Sequence, residues 1–230
     1  MKASATLWNR LCGRRSVELG RHDWFRETEW SEARAATFFE RLARSRSDFH
    51  RAQYLRIQAL HLEQTGNQEY LRAALDLLER IFRDYPDESQ VLPAYLQAAQ
   101  CHDALGNIEA ATSHFEQALV EQSREPFYIV GVTHEFPWFI VRRGLVELYD
   151  RAIEMLTMAE SVFPYQRFQE SACRAFIAAH RGMPDVARVS AQAALEAAGA
   201  ERSPFAPRPT IGLVGDRYHE WVERLRVLAT

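Results

Sequence analysis

The chain has 230 residues, of which 47% are hydrophobic, so it is long and apolar enough to bury a core, and disorder of the whole chain is excluded. Its 28 basic and 31 acidic residues leave a formal net charge of −3, which argues against nucleic acid or an anionic membrane as a partner. Lys2 is the only lysine, and this arginine bias, typical of a GC-rich genome, favours a bacterial source.

The cysteines and the hydropathy pattern indicate the cellular compartment in which the protein is expected. Cys12, Cys101 and Cys173 are far apart and form no CxxC pair, which argues against a disulfide framework and predicts a reducing, cytoplasmic location. No run of about 18 apolar residues exists, so we expect no membrane span. Residues 1–15 lack acidic side chains and allow three interpretations: a frayed or lightly packed tail, a short basic amphipathic anchor, or a segment that resembles a transit peptide.

The first predicted elements are an N-terminal tail and a capping helix. We assign residues 1–30 to the tail. The stretch WSEARAATFFERLARSRSDFHRAQ then starts a helix at Ser31, a candidate N-cap. Its apolar residues recur at helical spacing, at Ala35, Phe38, Phe39 and Leu42.

A repeat of 38 to 40 residues follows the capping helix, marked by two kinds of residue that interrupt helices. Four glycines are 40, 38 and 38 positions apart, and four prolines are 40, 38 and 40 positions apart. The glycines are Gly66, Gly106, Gly144 and Gly182, and the prolines are Pro86, Pro126, Pro164 and Pro204.

Each repeat is therefore predicted to consist of a helix, a glycine turn, and a second helix that ends at a proline. Glycine adopts the left-handed conformation without steric cost, and proline cannot continue a helix because it lacks an N–H. Small residues such as Ala111 and Ala152 let two helices approach, while Phe115 and Leu156 fill the space beside them. One hairpin cannot cover its own apolar face, so such units occur in arrays.

The stretch LPAYLQAAQCHDALGNIEAATSHFEQALVEQ, residues 92–122, resembles the tetratricopeptide repeat family. It departs from the consensus at Ala98, where Leu is usual, at His102, where Tyr is usual, and at Ser123, where the closing Pro is expected. The period also exceeds the family's, which is about 34 residues. The matching positions are Tyr95, Ala99, His102, Gly106, Ile108, Ala111, Phe115 and Ala118.

This resemblance implies an all-α fold: a right-handed α-solenoid of antiparallel helical hairpins with capping helices at both ends. We predict one domain over residues 31–230. Its parts are repeats at about 50–88, 89–126, 127–164 and 165–202, followed by an extended segment and a capping helix at 203–230.

Motifs for catalysis, metals and phosphate-binding loops are missing from the sequence. There is no GxGxxG, no GxxxxGK[ST], no GxSxG and no HExxH, and the eight histidines show no metal-ligand spacing. We therefore expect no enzyme activity, no cofactor and no metal.

The least regular part of the array is EPFYIVGVTHEFPWFIVRR, residues 125–143. It gathers Phe127, Tyr128, Phe136, Trp138 and Phe139, and Pro137 is expected to interrupt its helix. Two interpretations remain open: these aromatic rings fill the core, or some of them, Trp138 foremost, line a concave groove.

In the resembled family the first helix of each hairpin lines such a groove. The resemblance therefore implies partner-binding positions at Arg56, Glu63, Gln100, Asp103, His134, Trp138, Arg142 and His180. The corresponding function is a non-catalytic protein-binding or peptide-binding scaffold: an adaptor, a regulator or an immunity protein that masks a toxin. The alternative is a small-molecule or peptide-sensing helical domain, or a hydrolase without a recognisable motif. The oligomeric state stays open.

Overall fold

The computed structural model describes residues 23–124, 131–205 and 207–230. These residues form ten α-helices and two short 3₁₀ helices and contain no β-strand, so the all-α prediction is confirmed. The predictions for residues 1–22 and 125–130 lie outside the described residues. The chain divides into two compact units, Met1–Leu105 and Gly106–Thr230, which are described separately.

The first unit contains four helices. The predicted N-cap is confirmed, because the Ser31 side chain accepts a hydrogen bond from the Arg34 N–H at 3.3 Å. Phe38 and Leu42 form the buried face of the helix that follows, as the spacing predicted. The helices are α1 (Glu32–Ala43), α2 (Asp48–Glu63), α3 (Gln68–Asp84) and α4 (Glu88–Ala104).

The core of the first unit combines small and branched side chains. Helix α2 packs against α3 and α4, and α3 packs against α4. Ala59 and Ala74 are fully buried, which lets helices approach closely, and Leu78 and Ile81 fill the space beside them. This is the alternation of small and large residues that the repeat predicted.

Residues 23–30, assigned from sequence to the N-terminal tail, pack against the first unit. Phe25 is buried and stacks on Tyr54, with ring centroids 4.5 Å apart. The buried Gln58 amide accepts a hydrogen bond from the Glu27 N–H at 3.0 Å and donates one to the Glu27 carbonyl at 2.7 Å. These contacts tie the segment to α2.

The second unit contains six helices around an aromatic core. Helix α6 contacts α5, α7 and α8, and the last helix, α10, contacts α8 and α9. Phe115 stacks on Phe136 with centroids 4.9 Å apart, joining α5 to α6. The helices are α5 (Ile108–Arg124), α6 (Val132–Arg143), α7 (Tyr149–Met158), α8 (Pro164–His180), α9 (Pro184–Ala198) and α10 (His219–Leu228), and the 3₁₀ helices are Val146–Leu148 and Asp216–Tyr218.

The glycine turns are confirmed. Gly66, Gly106, Gly144 and Gly182 have φ angles of 67°, 79°, 67° and 68°, in the left-handed region that glycine enters without strain. Each lies between consecutive helices. Within the units, these turns produce the contacting pairs α2 with α3, α6 with α7, and α8 with α9.

The prolines fit the prediction only in part. Pro86 follows the end of α3 at Asp84, as predicted, whereas α9 already ends at Ala198, well before Pro204. Pro164 does not end a helix: α7 ends at Met158, and Pro164 is the first residue of α8, where its missing N–H costs no helical hydrogen bond. Pro137 does not interrupt α6, so that prediction is wrong. Because Pro137 is the sixth residue of the helix and lacks an N–H, one backbone hydrogen bond, to the Thr133 carbonyl, is missing. The buried aromatic side chains on either side of Pro137 stabilise the helix.

The segment between α9 and α10, predicted to be extended, consists largely of turns. The Ser203 N–H donates to the Pro209 carbonyl at 2.7 Å, and the Gly212 carbonyl accepts from the Tyr165 N–H at 2.9 Å. A Cβ at position 212 would lie 2.4 Å from a ring atom of Phe163. Only glycine fits there, so the segment docks against the start of α8.

Replacing Gly106 by valine tests the turn assignment. We expect Gly106→Val to lower the free energy of unfolding by about 1 kcal/mol or more, since a β-branched residue is strained at a φ of 79°. No described atom lies within 4 Å of a Cβ at this position, so the loss reports backbone strain and not a clash. Gly215→Val is the control, because Gly215 has a φ of −93° and equal space. Equal melting temperatures for the two variants would contradict the assignment.

Candidate functional site

Four helices of the second unit surround a groove of about 650 Å³. Helices α6, α7, α8 and α10 and the turn after α6 all contribute lining residues. The lining side chains include Val141, Arg142 and Arg143 from α6, Tyr149 from α7, Phe176 and His180 from α8, and Trp221, Arg224, Val227 and Leu228 from α10.

Every charged side chain that lines this groove is an arginine, and no carboxylate lines it. The Arg224 guanidinium lies 4.3 Å from the ring centroid of Trp221 and 5.0 Å from that of Phe176. Such cation–π contacts hold the guanidinium in place without neutralising it. Arg224 forms no ion pair with any carboxylate in the described part of the chain. The groove is therefore electropositive as well as aromatic.

Tyr149 and His180 form a second aromatic pair in the groove, with centroids 5.3 Å apart and rings nearly perpendicular. Burial raises the pKa of the Tyr149 hydroxyl, and the nearby Arg224 guanidinium opposes that rise in part. Tyr149 is thus a neutral hydroxyl at physiological pH, able to donate a hydrogen bond toward an anion.

Trp138 does not line this groove, but it packs against Trp221, which does. The Trp138 side chain is 4% exposed and makes edge contacts with Phe168, Tyr218 and Trp221 at centroid distances of 5.9, 5.6 and 5.1 Å. Of the two interpretations left open by the sequence, this position corresponds to the core. Phe136 and Phe139 are fully buried as well.

The structure brings two of the sequence-predicted binding residues together: Arg142 and His180 both line the groove. Trp138 and the buried His134 lie on the same helix as Arg142 but not in the lining. The other four predicted residues belong to the first unit, with Arg56 and Glu63 on α2 and Gln100 and Asp103 on α4.

In the first unit, the Arg56 Nε donates to the Gln90 side-chain oxygen at 3.0 Å and so connects α2 to α4. Asp103 is buried, whereas Glu63 and Gln100 are half-buried. The implied positions therefore lie on two contacting helices, as expected for the first helices of neighbouring hairpins.

Sequence reasoning assigned α10 to a capping role and missed its part in the groove. Trp221, Arg224 and Leu228 are spaced three and four residues apart, so they share one helix face. The available signal was a tryptophan and an arginine together on the apolar face of a terminal helix, where an arginine is not needed for packing.

A chain of partly buried polar side chains in this unit bears on the hydrolase alternative. The Ser161 hydroxyl donates to the Glu170 carboxylate at 2.8 Å and lies 2.8 Å from the His134 Nε2, which makes that nitrogen the donor. In hydrolase triads the carboxylate orients the histidine, and the histidine accepts the serine proton. Here the Glu170 carboxylate, and not the histidine, accepts the hydrogen bond from the serine hydroxyl. The His134 Nδ1 has no hydrogen-bond partner among the described residues.

Among the described residues, no group of three or more His, Cys, Asp or Glu side chains is arranged to hold a metal ion. In the same part of the chain, no helix has the length and apolar character needed to cross a membrane.

Comparison with protein-family models, with curated proteins and with solved structures gave no match for this chain. The tetratricopeptide resemblance therefore stays a prediction from the residues that carry it.

Replacing Trp138 tests its position in the core. We expect Trp138→Ala to lower the free energy of unfolding by about 3 to 5 kcal/mol, as truncation of a buried large aromatic side chain does. Trp221→Ala, at the half-buried wall, should cost less. Urea denaturation of both variants measures the difference, and a Trp138→Ala variant as stable as the wild type would contradict the core position.

The buried His134 predicts a pH dependence of stability. Burial lowers the pKa of His134, and the Glu170 carboxylate opposes that effect only in part. The unfolded chain therefore binds this proton at higher pH than the folded chain does, so stability is lost as the pH falls below about 6.5. We expect His134→Gln to weaken the loss of stability between about pH 7.5 and pH 5.

The control is His180→Gln, the same substitution at an exposed histidine of the same unit, and its pH profile is compared with those of the wild type and His134→Gln. Urea unfolding at each pH measures the effect. Parallel stability curves for the wild type and the His134→Gln variant would show that the buried imidazole does not cause the dependence.

Proposed function

We propose that this protein is a non-catalytic binding scaffold whose groove in the second unit holds an acidic segment of a protein or peptide partner. The observation that carries the proposal is the aromatic groove that no carboxylate lines, in which Arg224 lies against the rings of Trp221 and Phe176 and forms no ion pair within the described part of the chain. A guanidinium binds a carboxylate through two parallel hydrogen bonds, and it does so best where water is partly excluded.

The apolar walls indicate a second requirement on the partner. Val227 is 74% exposed, and Leu228 and Trp221 lie beside it on α10. These side chains suit an apolar or aromatic side chain next to the acidic group. A short motif that combines acidic and apolar residues, or a chain terminus that ends in an apolar residue, has both properties.

The architecture proposed for this role is a right-handed tetratricopeptide-like α-solenoid. It is supported by the contacting helix pairs and by the left-handed glycines at the predicted repeat distance. An adaptor, a regulator or an immunity protein in the cytoplasm uses such a surface without chemistry of its own. The non-catalytic function is favoured over a hydrolase by the hydrogen bonds among Ser161, His134 and Glu170.

A second candidate is a sensor of small acidic molecules. Its support is the size of the groove, since about 650 Å³ lies within the range of ligand sites that take small organic molecules. An aromatic carboxylic acid fits the same arginines and rings. The two candidates differ in whether peptide length beyond the groove adds affinity.

Peptide selection tests the first candidate. Random twelve-residue peptides displayed on phage are selected on the full-length protein, and we expect enrichment of peptides with acidic residues next to apolar ones. Against the best peptide, Trp221→Ala and Arg224→Gln should each lose about 2 kcal/mol of binding free energy or more, the size expected of hot-spot residues. Titration calorimetry measures these affinities.

The matched control is Arg226→Gln, which removes the same charge from the same helix at an exposed side chain that pairs with Glu223 outside the groove lining. It should bind as the wild type does. Selection without acidic enrichment, or equal losses for Arg224→Gln and Arg226→Gln, would reject the proposal. Full affinity for a two-residue fragment of the peptide would favour the small-molecule sensor.

A further inference from the structure

The first unit contains a separate pocket of about 450 Å³ where α1 ends and α2 begins. Helix α1 and the connection to α2 supply its basic side chains, and the N-terminal segment and α2 supply its rings. Its lining consists of Trp24, Arg41, Arg44, Ser45, Arg46, His50 and Tyr54.

The three arginines of this pocket have little counter-charge. No carboxylate lines the pocket, and in the described part of the chain neither Arg41 nor Arg46 forms an ion pair. Arg44 contacts Glu40, but both side chains are mostly exposed, so this pair screens little of the charge. Nearby carboxylates are engaged by other arginines, in the pairs Asp23 with Arg26, Asp48 with Arg51, and Glu27 and Glu29 with Arg34.

The rings of the pocket add hydrogen-bond donors. The Trp24 indole N–H and the Tyr54 hydroxyl have no hydrogen-bond partner among the described residues. His50 is held by its Nδ1, which lies 2.8 Å from the Ser47 hydroxyl oxygen, so its Nε2 remains available. Tyr54 stacks on Phe25, and Trp24 packs edge-on against Tyr54 at 5.1 Å, so the donors are positioned by packing.

We propose that this pocket binds a phosphate monoester. A phosphate monoester at neutral pH carries close to two negative charges and three acceptor oxygens, which match several guanidinium groups and ring donors at once. A single carboxylate carries one charge and is satisfied by one arginine. The segment that precedes the pocket in sequence, residues 1–22, contains one acidic side chain, Glu18, and five lysine or arginine side chains.

This site is independent of the groove in the second unit, because the two share no residue. The helix α1 terminus alone explains a basic side chain in the last turn, since cations stabilise the carboxyl end of a helix. It does not explain Arg46, which lies beyond the helix, or the unpartnered indole and phenol donors.

The experiment follows the indole N–H signals of the full-length ¹⁵N-labelled protein by NMR, with Trp24 identified through Trp24→Phe. The probes are inorganic phosphate, O-phosphoserine, adenosine monophosphate and, as a monoanion control, acetate. We expect a saturating shift of the Trp24 signal with phosphate and with at least one monoester, and none with acetate at equal concentration. Tighter binding of O-phosphoserine would identify the ligand as a phosphorylated side chain, and tighter binding of adenosine monophosphate would identify it as a nucleotide.

The variant Arg41→Gln/Arg46→Gln should weaken phosphate binding about tenfold or more, because it removes two charge-assisted partners. Arg46→Gln alone, in the connection between helices, provides the same test if the double variant does not fold. The control is Arg72→Gln, an exposed arginine on α3 outside the pocket, which should bind as the wild type does. No Trp24 shift, a shift of the Trp221 signal instead, or equal weakening in Arg72→Gln would overturn the proposal.

Discussion

The packing of Trp138 against three other aromatic rings is the interaction on which the second unit depends most. One indole from α6 contacts Phe168 on α8, Tyr218 at the end of a 3₁₀ helix, and Trp221 on α10. Because Trp221 also lines the groove, its contact with the buried Trp138 helps to fix the position of that lining side chain. This packing holds α10 so that Arg224 lines the same groove as Arg142 and Arg143, although 20 residues separate α10 from α9 in the sequence.

Polar contacts strengthen the same junction. The buried Gln169 amide donates to the Glu135 carboxylate at 3.1 Å and to the Tyr218 hydroxyl at 3.0 Å, and Arg217 donates to the same hydroxyl at 2.7 Å. Burial raises the pKa of Tyr218 to about 12, so the phenol stays neutral and keeps accepting. Apolar packing thus provides the stabilisation, and these directed bonds fix the orientation of the rings.

The starts of helices and the turns between them could be predicted from the sequence, whereas the contacts between distant elements could not. Gly66 and Gly182 marked turns because the left-handed conformation is a property of a single residue, and Ser31 marked a helix start for a similar reason. The prediction that Pro137 interrupts its helix failed because the lost backbone hydrogen bond is outweighed by burial of the neighbouring side chains. That burial depends on tertiary packing, which the local sequence does not show. Arg142 was placed at the groove through the repeat, whereas Arg224 was missed because α10 lies outside the repeat.

Apart from one histidine in each, the basic side chains that line the groove and the pocket are arginines, and this affects how the protein can be regulated. Guanidinium groups stay protonated across the physiological pH range, so acidification or alkalinisation leaves this part of the binding charge unchanged. Lysine acetylation, methylation and ubiquitination have no target in either cavity. Enzymes that modify lysine amines therefore cannot change the charge of either cavity. Reagents that label lysine likewise leave the side chains of both cavities unmodified.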